Sequence, residues 1–182
     1  MIFNPTSIAG VVVVELVPHT DARGFFARSF CAREFEAAGL APRLAQANVA
    51  FSHRAGTLRG LHYQLPPAAE AKLVRCTRGR IFDVAVDLRR GSPSYLAHVG
   101  VVLDADERRA LYVPEGCAHG YLTLSDHTEV SYQVSAFYAP ESEAGLRWND
   151  PCLAIEWPAA VHAISDKDAA WPLLEALDTP AV

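Results

Sequence analysis

Along stretches of this chain apolar and polar residues alternate one by one, and turn residues interrupt the alternation at short intervals. Val11–Val17 is β-branched and predicts a strand closed by Pro18. Asp21-Ala22-Arg23-Gly24 predicts a turn, Phe25–Phe30 an aromatic strand, and Arg33–Ala38 a short helix ended by Gly39. Further strands are predicted over Gln46–Ser52, Thr57–Gln64, Lys72–Cys76, Ala97–Leu103, Ala110–Val113, Tyr121–Leu124 and Glu129–Ser135. The apolar run Arg80–Leu88 predicts a strand covered on both faces. Leu146–Pro158 is irregular, and Ser165–Leu177 predicts a C-terminal helix disturbed by Pro172. About eight to ten short strands with little helix indicate an all-β sandwich or barrel. A jelly-roll β-barrel with short peripheral helices is the natural form, because it limits exposed strand edges.

The same alternation sorts the polar residues. On the strand from Lys72, the residues Lys72, Val74 and Cys76 share one face, and Leu73 and Arg75 the other. A lysine facing inward is costly unless it meets an anion or a developing negative charge, or snorkels out from the strand end. Tyr132 lies with Val130 and Val134 on the apolar face of its strand, pointing to a core or a cavity. Arg59 and His62 are three apart, which puts them on opposite faces unless a bulge at Gly60 brings them together. A histidine near a lysine can remove a proton from carbon and stabilise the resulting oxyanion. The plainer alternative is a partly buried histidine on an ordinary barrel strand.

Composition narrows the function. The 182 residues fit one domain, 1–182, with 51% hydrophobic and 20% charged residues, as expected of a folded chain. A net charge of −5 and the lack of any basic run argue against a nucleic-acid surface, although a local arginine cluster can hold a small anion. Cys31, Cys76, Cys117 and Cys152 are far apart and form no CxxC pair, so free thiols are expected rather than a zinc site or a disulfide framework. Without a signal-like start or a membrane-length apolar run, the expectation is a soluble cytoplasmic protein.

Pro114-Glu115-Gly116-Cys117-Ala118-His119-Gly120 has the PxGxxH spacing of the second cupin motif. Where the first motif offers HxH and a glutamate, this chain reads His62-Tyr63-Gln64, and the next strand opens with Lys72. Two of four metal ligands remain, beside a lysine that repels a divalent cation, so no metal is expected. The segments Asp21–Phe26, Gly56–Gln64, Lys72–Cys76, Asp83–Asp87, Val113–Gly120, Trp148–Pro151 and Ile164–Asp168 together resemble dTDP-4-dehydrorhamnose 3,5-epimerases along nearly the whole chain.

The resemblance implies a cupin-type jelly roll, a homodimer and no cofactor. The implied reaction is epimerisation of dTDP-4-keto-6-deoxy-D-glucose at C3 and C5 to dTDP-4-keto-L-rhamnose, as in rhamnose biosynthesis. By match to the family, His62 would be the base, oriented by Asp168, with Lys72 stabilising the enolate and Tyr132 returning the proton. Arg23, Gln46, Asn48, Arg59, His119, Tyr138 and Glu143 would hold the nucleotide end of the nucleotide-linked ketosugar, with Phe26 as a stacking surface. Some of these would come from the partner subunit. Asp168 has a competing role, because Ser165-Asp166-Lys167-Asp168 fits a helix capping box with Asp168 at its third position. The chain departs from the family pattern at Arg28, Ala50, Glu70 and Gln133. A single-site epimerase, a 3,4-ketoisomerase, a non-catalytic sugar-nucleotide binder and a metal-dependent cupin remain the alternatives.

Overall fold

A computed structural model describes residues 1–176. Its strands are β1 (Ile2–Pro5), β2 (Val12–Glu15), β3 (His19–Asp21), β4 (Gly24–Phe26), β5 (Gln46–Ser52), β6 (Leu58–Gln64) and β7 (Lys72–Arg78). They continue with β8 (Arg80–Asp87), β9 (His98–Asp104), β10 (Ala110–Val113), β11 (Cys117–Thr123), β12 (Thr128–Val134) and β13 (Glu143–Gly145). The helices are short: α1 (Ala32–Ala37) and α2 (Asp166–Ala170). One sheet runs β1-β2-β10-β7-β12-β5 and the other β13-β6-β11-β8-β9, with β3 and β4 forming a separate hairpin.

The two large sheets face one another across a shared core. Val74, Cys76, Leu111 and Val130 come from the first sheet, and Ile81, Ala85, Leu103 and Tyr121 from the second, all almost fully buried. Each sheet is also covered from outside. Phe35 of α1 packs with Phe3, Phe30 and Tyr112 over the first sheet, their ring centroids 4.8–5.9 Å from its own. Leu146, Leu153 and Trp157 of the irregular segment cover Leu61, Val84 and Val86 of the second. This is a jelly-roll β fold of the cupin type, and β8 is covered on both faces as its apolar run predicts.

The differences from expectation are local. Phe25–Phe30 is a strand only as far as Phe26, because Phe30 turns to pack on Phe35 instead. β11 begins four residues before the predicted Tyr121, and β1 and β13 are short pairings that alternation alone does not reveal. The C-terminal helix stops at Ala170, ahead of Pro172, and a 3-10 turn follows over Leu174–Ala176. The last predicted helical residue, Leu177, lies outside the described residues. All four cysteines are free thiols. Among the described residues no helix is long and apolar enough to cross a membrane.

Candidate active site

Strand register places the candidate residues in rows. Directly opposed residues of an antiparallel pair share a face, so the inner face of the first sheet carries Gln46, Val134 and Lys72 in one row. Asn48, Tyr132 and Val74 form the next row, and Ala50, Val130 and Cys76 the third. The rows grade from polar at the open end to apolar in the core. Across from them, His62, His119 and Ala85 form one row of the second sheet, and Arg59, Tyr121 and Asp83 the next.

Arg59 and His62 share a cavity despite their odd spacing. Between the pairs His119–His62 and Tyr121–Arg59, β6 takes three steps where β11 takes two, which is a bulge at Gly60-Leu61. Only glycine fits there. Gly60 has φ +128°, and a Cβ on it would lie 2.5 Å from the Cα of Gly120. Gly120 is equally confined, since its Cβ would lie 2.8 Å from the Arg59 carbonyl oxygen.

α2 supplies the carboxylate. Ser165 caps the helix by accepting from the Asp168 backbone N–H at 3.0 Å. The Asp168 side chain does not complete a capping box. Its Oδ1 sits 2.6 Å from His62 Nε2, and its Oδ2 accepts from the Gly60 N–H at 3.2 Å. Burial pushes the Asp168 carboxyl up, but the hydrogen bond and charge of His62 and the Gly60 N–H together hold it below the usual carboxylate range. An ionised carboxylate accepts only, so Nε2 of His62 is the donor, and in the neutral imidazole the lone pair lies on Nδ1. His119 makes a similar pair, with Nε2 2.8 Å from Oδ1 of the buried Asp83. Among the described residues no group of three or more His, Cys, Asp or Glu side chains is arranged to hold a metal ion.

Two cavities meet at these residues. The larger, about 340 Å³, is lined by His62, Lys72, Tyr132, Asp168, Arg59 and His119, with Ala50, Tyr121, Ile164 and Ser165 among the rest. The smaller, about 300 Å³, is lined by Gln46, Asn48, Tyr138 and Glu143, with Tyr63, Gln64 and Glu70. His62, Lys72 and Tyr132 belong to both and form the wall between them. Lys72 is 8% exposed and faces inward, so snorkelling does not describe it. Burial raises the Tyr132 phenol above its ordinary pKa and the charge of Glu70 raises it further, against an opposing pull from Arg59. Gln46 Oε1 accepts from the Tyr138 N–H at 2.6 Å, and Glu143 Oε2 accepts from the Tyr138 hydroxyl at 2.7 Å. Both therefore hold Tyr138, whose side chain stands open to solvent.

Ten of the twelve predicted site residues converge here; Arg23 and Phe26 do not. They sit on the β3–β4 hairpin, where Phe26 is 70% exposed and Arg23 pairs with Asp21 at 2.5 Å. Asp83, Tyr121, Glu70 and Trp171 escaped the sequence reading as site residues. The indole of Trp171 packs edge-on near the His62 ring, at 6.2 Å between centroids. Alternation on β8 was a usable signal for Asp83, which shares a face with Ala85. Nothing in a helix-like Trp171 pointed to β6.

The sequence model for dTDP-4-dehydrorhamnose 3,5-epimerase matches residues 5–176. The Shigella flexneri dTDP-4-dehydrorhamnose 3,5-epimerase is 46% identical over 164 residues, covering 90% of each chain. A solved structure of dTDP-6-deoxy-D-glucose-3,5-epimerase from Legionella pneumophila, in complex with dTDP-4-keto-L-rhamnose, has a TM-score of 0.90 at 40% identity. That similarity covers 97% of this chain and 94% of the other. A 3′-monoepimerase from Streptomyces bikiniensis, in complex with dTDP-quinovose, reaches a TM-score of 0.86 at 39% identity over 94% of this chain and 87% of its own. With this similarity running through β6, β7, β11, β12 and α2 alike, the chain belongs to the dTDP-4-dehydrorhamnose 3,5-epimerase family.

Proposed function

We propose that the protein epimerises dTDP-4-keto-6-deoxy-D-glucose at C3 and C5, giving dTDP-4-keto-L-rhamnose. Both carbons flank the C4 ketone, so loss of either proton gives an enolate. His62 Nδ1 takes the proton and Asp168 holds the imidazolium that forms. The electron pair of the broken C–H bond moves to the C4 oxygen, where the Lys72 ammonium meets the charge. Tyr132 then gives its phenolic proton to carbon from the other side, and the carbonyl re-forms with inverted configuration.

The observation that carries this reading is the origin of the two proton-handling groups. His62 projects from one sheet and Tyr132 from the facing one, into a single cavity. A flat enolate between them has a base on one face and an acid on the other. The raised phenol keeps Tyr132 protonated, as an acid must be.

Arg59, at the rim with its Nη2 on the Phe51 carbonyl oxygen at 3.1 Å, suits the pyrophosphate. His119, Gln46, Asn48, Tyr138 and Glu143 bind the remainder, Tyr138 with its open ring towards the base. Arg23 and Phe26 reach the site of a second copy across a homodimer, for which their exposure on a projecting hairpin speaks. The reading treats residues 1–182 as one cytoplasmic catalytic unit and assigns no step to a metal or organic cofactor.

The test is product NMR after incubation with the ketosugar nucleotide in deuterium oxide, with and without a chelator. Deuterium at both C3 and C5, unaffected by chelation, is expected. No exchange at either carbon overturns the reading in favour of a binding protein. Deuterium at C3 alone makes the protein a monoepimerase, the second reading favoured by its likeness to the Streptomyces enzyme.

A further inference from the structure

Lys72 is not a solitary cation. Its Nζ lies 3.3 Å from Glu70 Oε1 and donates to the His62 carbonyl oxygen, also at 3.3 Å. Both side chains are largely withdrawn from water, with relative exposures of 10% for Lys72 and 11% for Glu70. A carboxylate in such a place is unfavourable unless paired. An ammonium has three N–H bonds. With one on Glu70 and one on the His62 carbonyl, the third remains for the cavity.

The backbone around Glu70 is itself fixed. Gln64 Nε2 donates to the Ala68 carbonyl at 2.8 Å, ahead of Glu70. Beyond it, the Ala71 N–H donates to Ser135 Oγ at 2.8 Å, and the Ser135 N–H donates to the Ala71 carbonyl at 3.0 Å. The carboxylate thus hangs from a segment tied at both ends, between Lys72 and the wall of the smaller cavity.

We propose that Glu70 is a positioning residue for the epimerisation, anchoring the Lys72 ammonium so that one N–H is aimed at the C4 oxygen. This rests on the epimerase reading above. The anchor and the charge of Glu70 act in opposite senses. The anchor holds the cation where the enolate oxygen forms, and the negative charge offsets part of the pull that the cation exerts. Glu70→Gln keeps an acceptor for Lys72 and removes the charge, whereas Glu70→Ala removes both.

Steady-state kinetics on the ketosugar nucleotide separate the two. Glu70→Ala should lower kcat about tenfold or more, as a displaced catalytic group does. Its KM should stay within about threefold, because ground-state binding is untouched. Glu70→Gln should match or exceed the wild-type kcat. Wild-type kcat in Glu70→Ala, or a loss in KM alone, overturns the proposal. A urea-denaturation cycle reads the ion pair without using activity. Lys72→Met should be less stable than Glu70→Gln/Lys72→Met, since only the single variant leaves a carboxylate buried alone. Strictly additive effects overturn the pair and the proposal with it. The two readings fail differently. If the wild type exchanges neither hydrogen, the epimerase reading falls and takes this role with it; if the wild type is active and Glu70→Ala is unchanged, only Glu70 is misassigned.

Discussion

Asp168→Asn removes one charge and almost no volume, and the site has no good way to receive the amide. The carboxylate accepts twice, from His62 Nε2 at 2.6 Å and from the Gly60 N–H at 3.2 Å. Asparagine has one oxygen for these two donors. If that oxygen faces Gly60, its NH₂ donates to Nε2 and drives the imidazole proton onto Nδ1, the atom assigned as base. If it faces Nε2, the NH₂ opposes the Gly60 N–H and a buried donor is stranded, at about 1–3 kcal/mol. Loss of a general base lowers rate by about 10²–10⁴, or roughly 2.7–5.4 kcal/mol of barrier. The kinetic effect therefore exceeds the structural one, and the variant should fold yet exchange slowly. The folded-state pKa of Asp168 is depressed, so its stabilisation is complete above the ordinary carboxylate pKa and is lost as pH falls through the folded value. The stability gap between wild type and Asp168→Asn should accordingly narrow below about pH 4. Exchange rates at C3 and C5 by NMR, with urea melts from pH 7 down to pH 3, measure both. An Asp168→Asn protein exchanging within about threefold of wild type would refute the tautomer argument, since a general base contributes far more. A gap that widens below about pH 4 would refute the depressed carboxylate.

Two further variants probe the opposite wall and the bulge. Tyr132→Phe keeps the ring and should stay folded, losing inversion while some wash-out of hydrogen by His62 survives; equal loss of exchange and product would argue against a separate acid. In the wild type, because burial and Glu70 raise the phenol, kcat should hold until pH exceeds about 10, and an alkaline limb well below that would contradict the assignment. Gly60→Ala should lose both stability and activity, because the new Cβ meets the Gly120 backbone rather than a movable side chain. A wild-type urea midpoint in that variant would show that the bulge does not confine the chain as described.

How far the sequence revealed this arrangement depended on whether a residue obeys its strand's parity. Val130, Tyr132 and Val134 alternate without interruption, so the inward Tyr132 was legible, as was Lys72 beside Val74 and Cys76. Arg59 and His62 break parity. The sequence offered only Gly60 as a hint, because a bulge depends on the partner strand leaving room at Gly120. The double demand on Asp168 was visible in Ser165–Asp168, but which one its oxygens satisfy depends on β6, some hundred residues earlier. Strands as short as β1 and β13 carry too few residues for a pattern. Phe30 carries an aromatic strand signal that its packing on Phe35 overrides.

One continuous stretch still supplies the proposed base and cation, and topology explains how. β6 and β7 are neighbours in sequence but belong to different sheets. The intervening loop must therefore carry the chain from one wall of the cavity to the other. Residues close in sequence end up facing one another, so His62 and Lys72 reach one cavity from its two walls. A hairpin of the same length would have set them side by side on a single face. Glu70 sits at the end of that crossing, where the chain enters the first sheet, and there it meets the lysine. Tyr132 joins from β12, which pairs directly with β7, so Tyr132 and Lys72 share one wall while His62 and its partner Asp168 stand at the other. The proposed inversion at carbon requires that separation, and a sandwich whose adjacent strands change sheets supplies it.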